Sequence, residues 1–375
     1  MKFQKTIAAT LSAAMLLSVS SFAATPSDFS DFPADWSTDA LTHAVEHGLL
    51  NGSDGKINAK GTLTRAQMAA IVNRAFGAEK AADLTRFVDM LQSAWYYNDM
   101  GKAVQMGTFV GSGDKLNPEA PITREQAFAV LARAFALSDG SASALSKFSD
   151  ASSVSSWAVG SAAALVEAGY VNGSDGKHNP KGYMTRAEFA QMMDNLVKAY
   201  VTSGQTITEV PAGNVVVRAS GATLKNITVY GDLVIAAGAT SGTLAGVTVK
   251  GNIILRGGAT GVTITGATSA NRVTVENPNG TTVLNGDGSK LGTVHVKTDL
   301  TVNGTLSNAS VDEKATLTVN QGGKVGSVTV NAPGSQVKGS GTVTTVQANA
   351  SDTTVTTPNT KVTAGTGTSN VKAGD

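Results

Sequence analysis

Ile122-Thr123-Arg124-Glu125-Gln126 decides the reading of the first half of the chain, because the phrase occurs three times. Its other copies are Leu63-Thr64-Arg65-Ala66-Gln67 and Met184-Thr185-Arg186-Ala187-Glu188. In each, Thr-x-x-Gln or Thr-x-x-Glu forms a capping box. The hydroxyl accepts from the backbone N–H at the fourth position, whose side chain reaches back. A helix therefore starts at each threonine, and in the first copy Met68, Ile71, Val72 and Ala75 supply its apolar face.

Working outward, each arginine follows a tryptophan by 29 positions (Trp36, Trp95, Trp157), and the chain has only those 3 tryptophans. From the tryptophans onward the copies align without a gap, sharing glycines at 48/107/169 and 52/111/173 and serines at 53/112/174. Phe29-Ser30-Asp31, Phe87-Val88-Asp89 and Phe148-Ser149-Asp150 precede them. This is one supersecondary unit in triplicate: a helix ending at the first glycine, a polar Gly-Ser loop, then the capped helix. Two helices cannot bury such a face alone, so the copies are expected to pack around a common axis, each completing its neighbour.

The arginine is the anomaly. The positive end of a helix dipole disfavours a cation in the first turn by a few tenths of a kcal/mol. One explanation is a structural pair with Asp31, Asp89 or Asp150. The other is an anion site, where free helix N–H groups and a guanidinium fork converge on a carboxylate or phosphate. The tryptophans are open in the same way, as core anchors or as rings for stacking on a sugar. Threefold recurrence beside a Gly-Ser loop favours the binding site.

Lys2 and Lys5, an uncharged run from Thr6 to Ala24 and the exit Ser21-Phe22-Ala23 describe a secretory signal peptide cleaved after Ala23. The alternative, a membrane anchor, is opposed by a short apolar stretch interrupted by Ser and Thr. No other stretch is apolar enough to span a bilayer. The 0 cysteines exclude disulfides, thiolate metal sites and a cysteine nucleophile. A net charge of +1 gives no field pointing to nucleic acid.

Phe, Met and Trp stop before position 201, and a Gly/Thr/Val/Asn text takes over. Ile227-Thr228-Val229-Tyr230-Gly231-Asp232-Leu233-Val234-Ile235 matches Val247-Thr248-Val249-Lys250-Gly251-Asn252-Ile253-Ile254-Leu255, 20 residues later. Alternation with glycine corners at that period predicts a parallel β-solenoid, with an antiparallel sandwich as the alternative. Catalysis on this surface needs grouped carboxylates or bases. Asp287, Asp299 and Asp312 show no common register, and His295 reads as alone. No catalytic residue, metal site or cofactor is expected.

The triplicate phrase Phe-x-Asp…Trp…Gly…Gly-Ser-Asp-Gly…Thr-Arg-Ala-Glu closely resembles the S-layer homology (SLH) domain, over about Phe29 to Val201. The resemblance implies an all-α, pseudo-threefold trimer of helix-loop-helix repeats, whose grooves bind secondary cell-wall polysaccharide carrying pyruvylated sugars. It assigns the ketal carboxylate to Arg65, Arg124 and Arg186. Sugar contacts fall to Trp36, Trp95 and Trp157 and to Gly52-Ser53, Gly111-Ser112 and Gly173-Ser174. Three departures predict unequal grooves: Gln67 and Gln126 replace the closing Glu, Gly113-Asp114 inverts Asp-Gly, and Ile57, Leu116 and His178 stand where an aromatic is usual. The middle loop is expected to be the weakest.

The chain thus reads as multidomain. A signal peptide (1–23) precedes SLH repeats at 24–84, 85–144 and 145–203. An all-β, right-handed β-helix-like parallel solenoid follows (204–348), then a last coil or flexible tail (349–375). The expected function is non-covalent attachment to the bacterial cell wall or S-layer of a secreted, non-enzymatic surface protein. Its partners are a pyruvylated wall glycan and other surface-layer subunits, with neither nucleic acid nor, after signal cleavage, membrane. The alternatives are a wall-anchored polysaccharide-degrading enzyme or an adhesin acting through the solenoid.

Overall fold

The computed structural model describes residues 24–374, so the expected signal peptide lies outside the described residues. Each repeat contributes two α-helices: α1 (Thr38–Glu46) and α2 (Arg65–Phe76), α3 (Tyr97–Gln105) and α4 (Arg124–Ala134), α5 (Val159–Glu167) and α6 (Arg186–Leu196). The second helix of each begins where the capping box places it. Thr64, Thr123 and Thr185 accept from the N–H groups of Gln67, Gln126 and Glu188 at 3.2, 3.4 and 3.2 Å.

Helix contacts run between repeats and close on themselves: α2 packs on α3, α4 on α5, and α6 on α1. A ring of backbone bonds ties the three phrases together. Leu63 N–H donates to Met184 O, Met184 N–H to Ile122 O and Ile122 N–H to Leu63 O, at 2.9, 3.0 and 2.9 Å. Phe76, Phe109, Phe128, Phe135 and Phe189 are fully buried in the shared core.

From Ala199–Val201 onward every strand pairing is parallel, which excludes the sandwich. The first of these strands lies just ahead of the compositional shift. One inward column runs Val201–Val217–Ile235–Leu255–Val275–Val296 through successive coils. It continues through Val311, Val330 and Ala348. The strands Lys361–Ala364 and Lys372–Ala373 continue the two stacks.

The first coils carry a second apolar column on their outer side: Tyr200, Val216, Val234 and Ile254, in register. Val216, Val234 and Ile254 belong to the helical core, with exposures of 2% or less. This explains the runs Val215-Val216-Val217, Leu233-Val234-Ile235 and Ile253-Ile254-Leu255. A strand covered on both faces has no polar alternation. Further along, the same outer column becomes polar, with Thr274, His295, Ser310 and Thr329.

Beside that apolar column, polar solenoid side chains receive the ends of the helices. Arg218 donates to His47 O and Arg74 O (3.2 and 3.1 Å). Arg256, 1% exposed, donates to Met106 O at 3.1 Å and to Arg133 O. Asn214 donates to Leu196 O and Tyr170 Oη, both at 2.7 Å. Each repeat thus docks its C-terminal helix carbonyls, the negative end of the dipole, on a donor from the solenoid.

Candidate functional site

Three grooves lie between the repeats, and each is assembled from all three copies. The first joins the hairpin Gly52-Ser53 of repeat one, Trp95 of repeat two and Arg186 of repeat three. The second joins Gly111-Ser112, Trp157 and Arg65. The third joins Gly173-Ser174, Trp36 and Arg124. Every expected site residue therefore lines a groove. The Trp and Arg of one phrase, however, belong to different grooves.

The tryptophans are not core anchors. Trp36, Trp95 and Trp157 are 63, 61 and 55% exposed. Leaving that much indole in water is unfavourable by transfer free energy, as expected of a surface that meets a ligand.

The hairpins are two-residue turns closed by reciprocal bonds: Ser53 N–H to Lys56 O and Lys56 N–H to Ser53 O, both 2.9 Å. Asp54 and Gly55 both have positive φ (50° and 67°), as a type I′ turn requires. In the middle loop only Gly113 does (φ 62°), which fits a type II′ turn. The inverted Gly113-Asp114 thus changes the turn type, and Ser112 and Lys115 still close it (2.9 and 3.3 Å).

Behind each hairpin the glycine abuts a phenylalanine. A Cβ on Gly52 would lie 2.4 Å from the Phe29 ring, on Gly111 2.6 Å from Phe87, and on Gly173 2.5 Å from Phe148. These glycines have a packing reason to be present, independent of any sugar.

The aspartates of Phe-x-Asp do not pair with the arginines. Asp31 accepts from Ile57 N–H and Asn58 N–H (2.6 and 3.0 Å), Asp89 from Leu116 and Asn117 (3.0 and 2.6 Å), and Asp150 from His178 and Asn179 (both 2.8 Å). Burial works against ionisation of Asp31 and Asp150, but those backbone donors hold both carboxyls below the usual range.

The arginines grip the other side of the same loops. Arg186 Nε donates to Ile57 O (2.6 Å), Arg65 Nε to Leu116 O (2.7 Å) and Arg124 Nε to His178 O (3.2 Å). Each guanidinium is thereby fixed through its Nε at the wall of a groove.

The helix N-termini contribute nothing to an anion. Arg65 N–H and Ala66 N–H donate to Ala120 O and Pro118 O (3.0 and 2.8 Å), Arg124 and Glu125 to Gly182 O and Pro180 O (2.8 and 3.0 Å), and Arg186 and Ala187 to Gly61 O and Ala59 O (both 2.9 Å). The next N–H goes to the capping threonine. Repeat-to-repeat bonds thus take the donors that the sequence left free, and charge recognition falls to side chains.

One further position lines the grooves. Arg74, Arg133 and Asn195 occupy the same place in the three repeats and face the first, second and third groove respectively. The ungapped alignment contains this signal, as two arginines and an asparagine 38 positions after each tryptophan. Burial lowers the pKa of Arg65, Arg124 and Arg186. At Arg186 the next cause is Arg74, acting in the same direction, and Arg133 does the same at Arg65 after an opposing effect of Asp89. At Arg124 the charges of Glu188 and Asp150 oppose the burial.

On the solenoid, His295 is not alone: its Nδ1 lies 2.6 Å from Asp312 Oδ2, across adjacent coils. Ser310 Oγ donates to the same carboxylate rather than to the imidazole, so the trio is not arranged as a nucleophile and its base.

A family model for the S-layer homology domain matches residues 27–69, 86–128 and 147–190. The chain is 32% identical over 205 residues to the "Surface-layer 125 kDa protein" of Lysinibacillus sphaericus, covering 52% of this chain and 17% of that one. It is 29% identical over 209 residues to the "S-layer protein sap" of Bacillus anthracis (55% and 26%). It is 28% identical over 176 residues to the "Exoglucanase XynX" of Acetivibrio thermocellus (45% and 16%). The chain thus spans less than a third of the length of each of these relatives. Together with the repeats and the parallel coils, these matches give the assignment: the chain carries three tandem S-layer homology domains followed by a β-solenoid.

Proposed function

We propose that the helical half attaches this protein to the bacterial cell wall by binding an anionic wall polysaccharide, and that the solenoid is the surface-layer part it holds there. The observation that carries this reading is the groove: a guanidinium fixed through Nε, an exposed indole and a Gly-Ser hairpin converge from three repeats. Guanidinium forks suit a planar carboxylate, and an indole suits the apolar face of a sugar ring. A pyruvate ketal on a hexose presents both at once, so a pyruvylated glycan is the ligand class proposed. The cyclic helix contacts and the backbone ring at Leu63, Ile122 and Met184 support a pseudo-threefold assembly of the repeats. Among the described residues no helix is long and apolar enough to cross a membrane, and attachment through a glycan needs none.

A second reading is favoured by the similarity to an exoglucanase: a wall-anchored enzyme acting on polysaccharide through the solenoid. Against it stands the solenoid surface, where Asp312 is paired with His295, and Glu276 and Glu313 with Lys297, instead of facing each other as two free carboxyls. We therefore assign the solenoid a structural role. Purified cell-wall sacculi test the attachment. The parent protein is expected to sediment with them, and an Arg65/Arg124/Arg186→Ala variant that keeps its circular dichroism spectrum is expected to stay in solution. Equal retention of both proteins would remove the arginine assignment. Turnover of a glycan panel by the parent protein would favour the enzyme.

A further inference from the structure

A separate cleft opens where repeat two meets the solenoid. Gly107, Arg133 and Leu137 form its helical side, and Asn252, Arg272 and Lys297 its solenoid side, around a volume of about 370 Å³. That volume falls within the ~300–1,000 Å³ of small-ligand sites. Arg133 also lines the second groove, and Gly107 of the cleft precedes Phe109 of the groove by two residues. Two residues span at most ~7 Å of chain, so successive units of one polymer can reach both places.

The other repeats have no such opening. Gly77, which aligns with Ala136 of the cleft, lies against Gly238 of the solenoid, whose N–H donates to Phe76 O at 3.4 Å. In repeat three the aligned residue, Lys198, leads straight into the first strand, Ala199–Val201.

The charges of the cleft do not cancel. Its one carboxylate, Glu276, is paired with buried Arg256 (3.3 Å) and with Lys297 (3.6 Å), which also faces Glu313 at 3.8 Å. Arg133 and Arg272 form no ion pair among the described residues, and burial alone lowers the pKa of Arg133. Arg272 is exposed and its guanidinium makes no hydrogen bond to the rest of the described chain. A guanidinium so placed suits a carboxylate or phosphate. Beside it, Asn252 spends its amide NH2 on Asp232 (3.1 Å), which leaves its side-chain carbonyl for a hydroxyl donor.

Resting on the glycan-binding reading above, we infer that the polymer bound in the second groove runs on past Arg133 into this cleft, where Arg272 takes the acid group and Asn252 a hydroxyl of a further sugar unit. The solenoid then contributes to the glycan site as well as being held by it.

Calorimetric titration of the full chain with wall polysaccharide released from sacculi by muramidase tests this. Arg272→Glu is expected to weaken binding by about tenfold, with Arg272→Lys close to the parent. Lys338→Glu makes the same charge change at an exposed position on the opposite sheet and is expected to bind as the parent does. Added to Arg65→Ala, which weakens the second groove, Arg272→Glu should cost less than about twofold, because one stretch of polymer needs both places. Parent-like binding by Arg272→Glu, an equal loss with Lys338→Glu, or an undiminished loss in the Arg65→Ala background would each overturn the inference and leave the glycan reading standing. No binding of the polysaccharide by the parent would remove that reading, and the inference with it.

Discussion

Arg256 of the solenoid donates to the backbone carbonyl of Arg133, and the side chain of that same Arg133 lines the second groove. Arg218 holds the carbonyl of Arg74, whose side chain lines the first groove, in the same way. The second arginines of the first and second grooves are therefore the ones whose backbone carbonyls the solenoid holds. Val216, Val234 and Ile254 of the first coils pack in the helical core, while the interior of the solenoid forms a second one.

Arg256→Ala is expected to uncouple the halves. It leaves the carbonyls of Met106 and Arg133 without their donor in a dry interface, at a cost of about 2–4 kcal/mol. Calorimetry should then resolve two transitions where the parent shows one, and the salt dependence of melting should change little because the site is buried. A variant that melts in one step at the parent temperature would show that the contact does not join the halves.

The mixed origin of each groove has a consequence for paired substitutions. Arg65 shares its groove with Trp157, whereas Trp95 faces Arg186 in another. In binding to sacculi, Arg65→Ala and Trp157→Ala are expected to be non-additive by roughly 0.5–1.5 kcal/mol. Arg65→Ala and Trp95→Ala, in separate grooves, should add within about 0.5 kcal/mol. The reverse outcome would place the ligand across a different set of residues.

Much of this was legible from residue pattern alone. The capping boxes put the starts of α2, α4 and α6 at the right residues, because a cap is a local device needing four consecutive positions. The parallel coils were legible because a stack repeats its text at the coil length. What sequence could not show is long-range in origin. Trp36 and Arg65 are neighbours in one phrase but face different grooves, since packing pairs each repeat with the next. The N–H groups of Arg65 and Ala66 looked free because their acceptors, Ala120 and Pro118, belong to another copy. Val234 and Ile254 read as part of the repeating strand text, although their side chains belong to the helical core.

The hairpin glycines should affect folding before they affect binding. A methyl group at Gly173 would lie 2.4 Å from Lys177 O and 2.5 Å from the Phe148 ring, at a φ of 71°. Gly173→Ala is expected to cost roughly 2–4 kcal/mol from the clash and the left-handed backbone together. Ser174→Ala, at an exposed position, should stay within about 0.5 kcal/mol of the parent. Urea denaturation separates the two, and a stable Gly173→Ala protein would contradict the packing described.

His178 is fully buried between Phe128 and Phe148, and neither ring nitrogen has a hydrogen-bond partner. Burial, reinforced by the charge of Arg124, lowers its pKa to about 4. The sign follows from which state takes the proton. Above about pH 6.5 the ring is neutral in both states and contributes no pH dependence. As pH falls from there towards 4, the unfolded chain is protonated and the folded one is not, so stability drops, by up to about 3 kcal/mol. Below the folded pKa this contribution is constant. The equivalent residues Ile57 and Leu116 show that the site accepts an aliphatic side chain. His178→Leu is expected to gain about 1–2 kcal/mol near neutrality by removing two unsatisfied nitrogens. The gain should widen between about pH 6.5 and 4, and His47, whose pKa burial also lowers, cancels in the comparison. Urea midpoints at about pH 7 and about pH 4.5 read both effects, and a stability difference that stays constant across that interval would mean that His178 is not the titrating group.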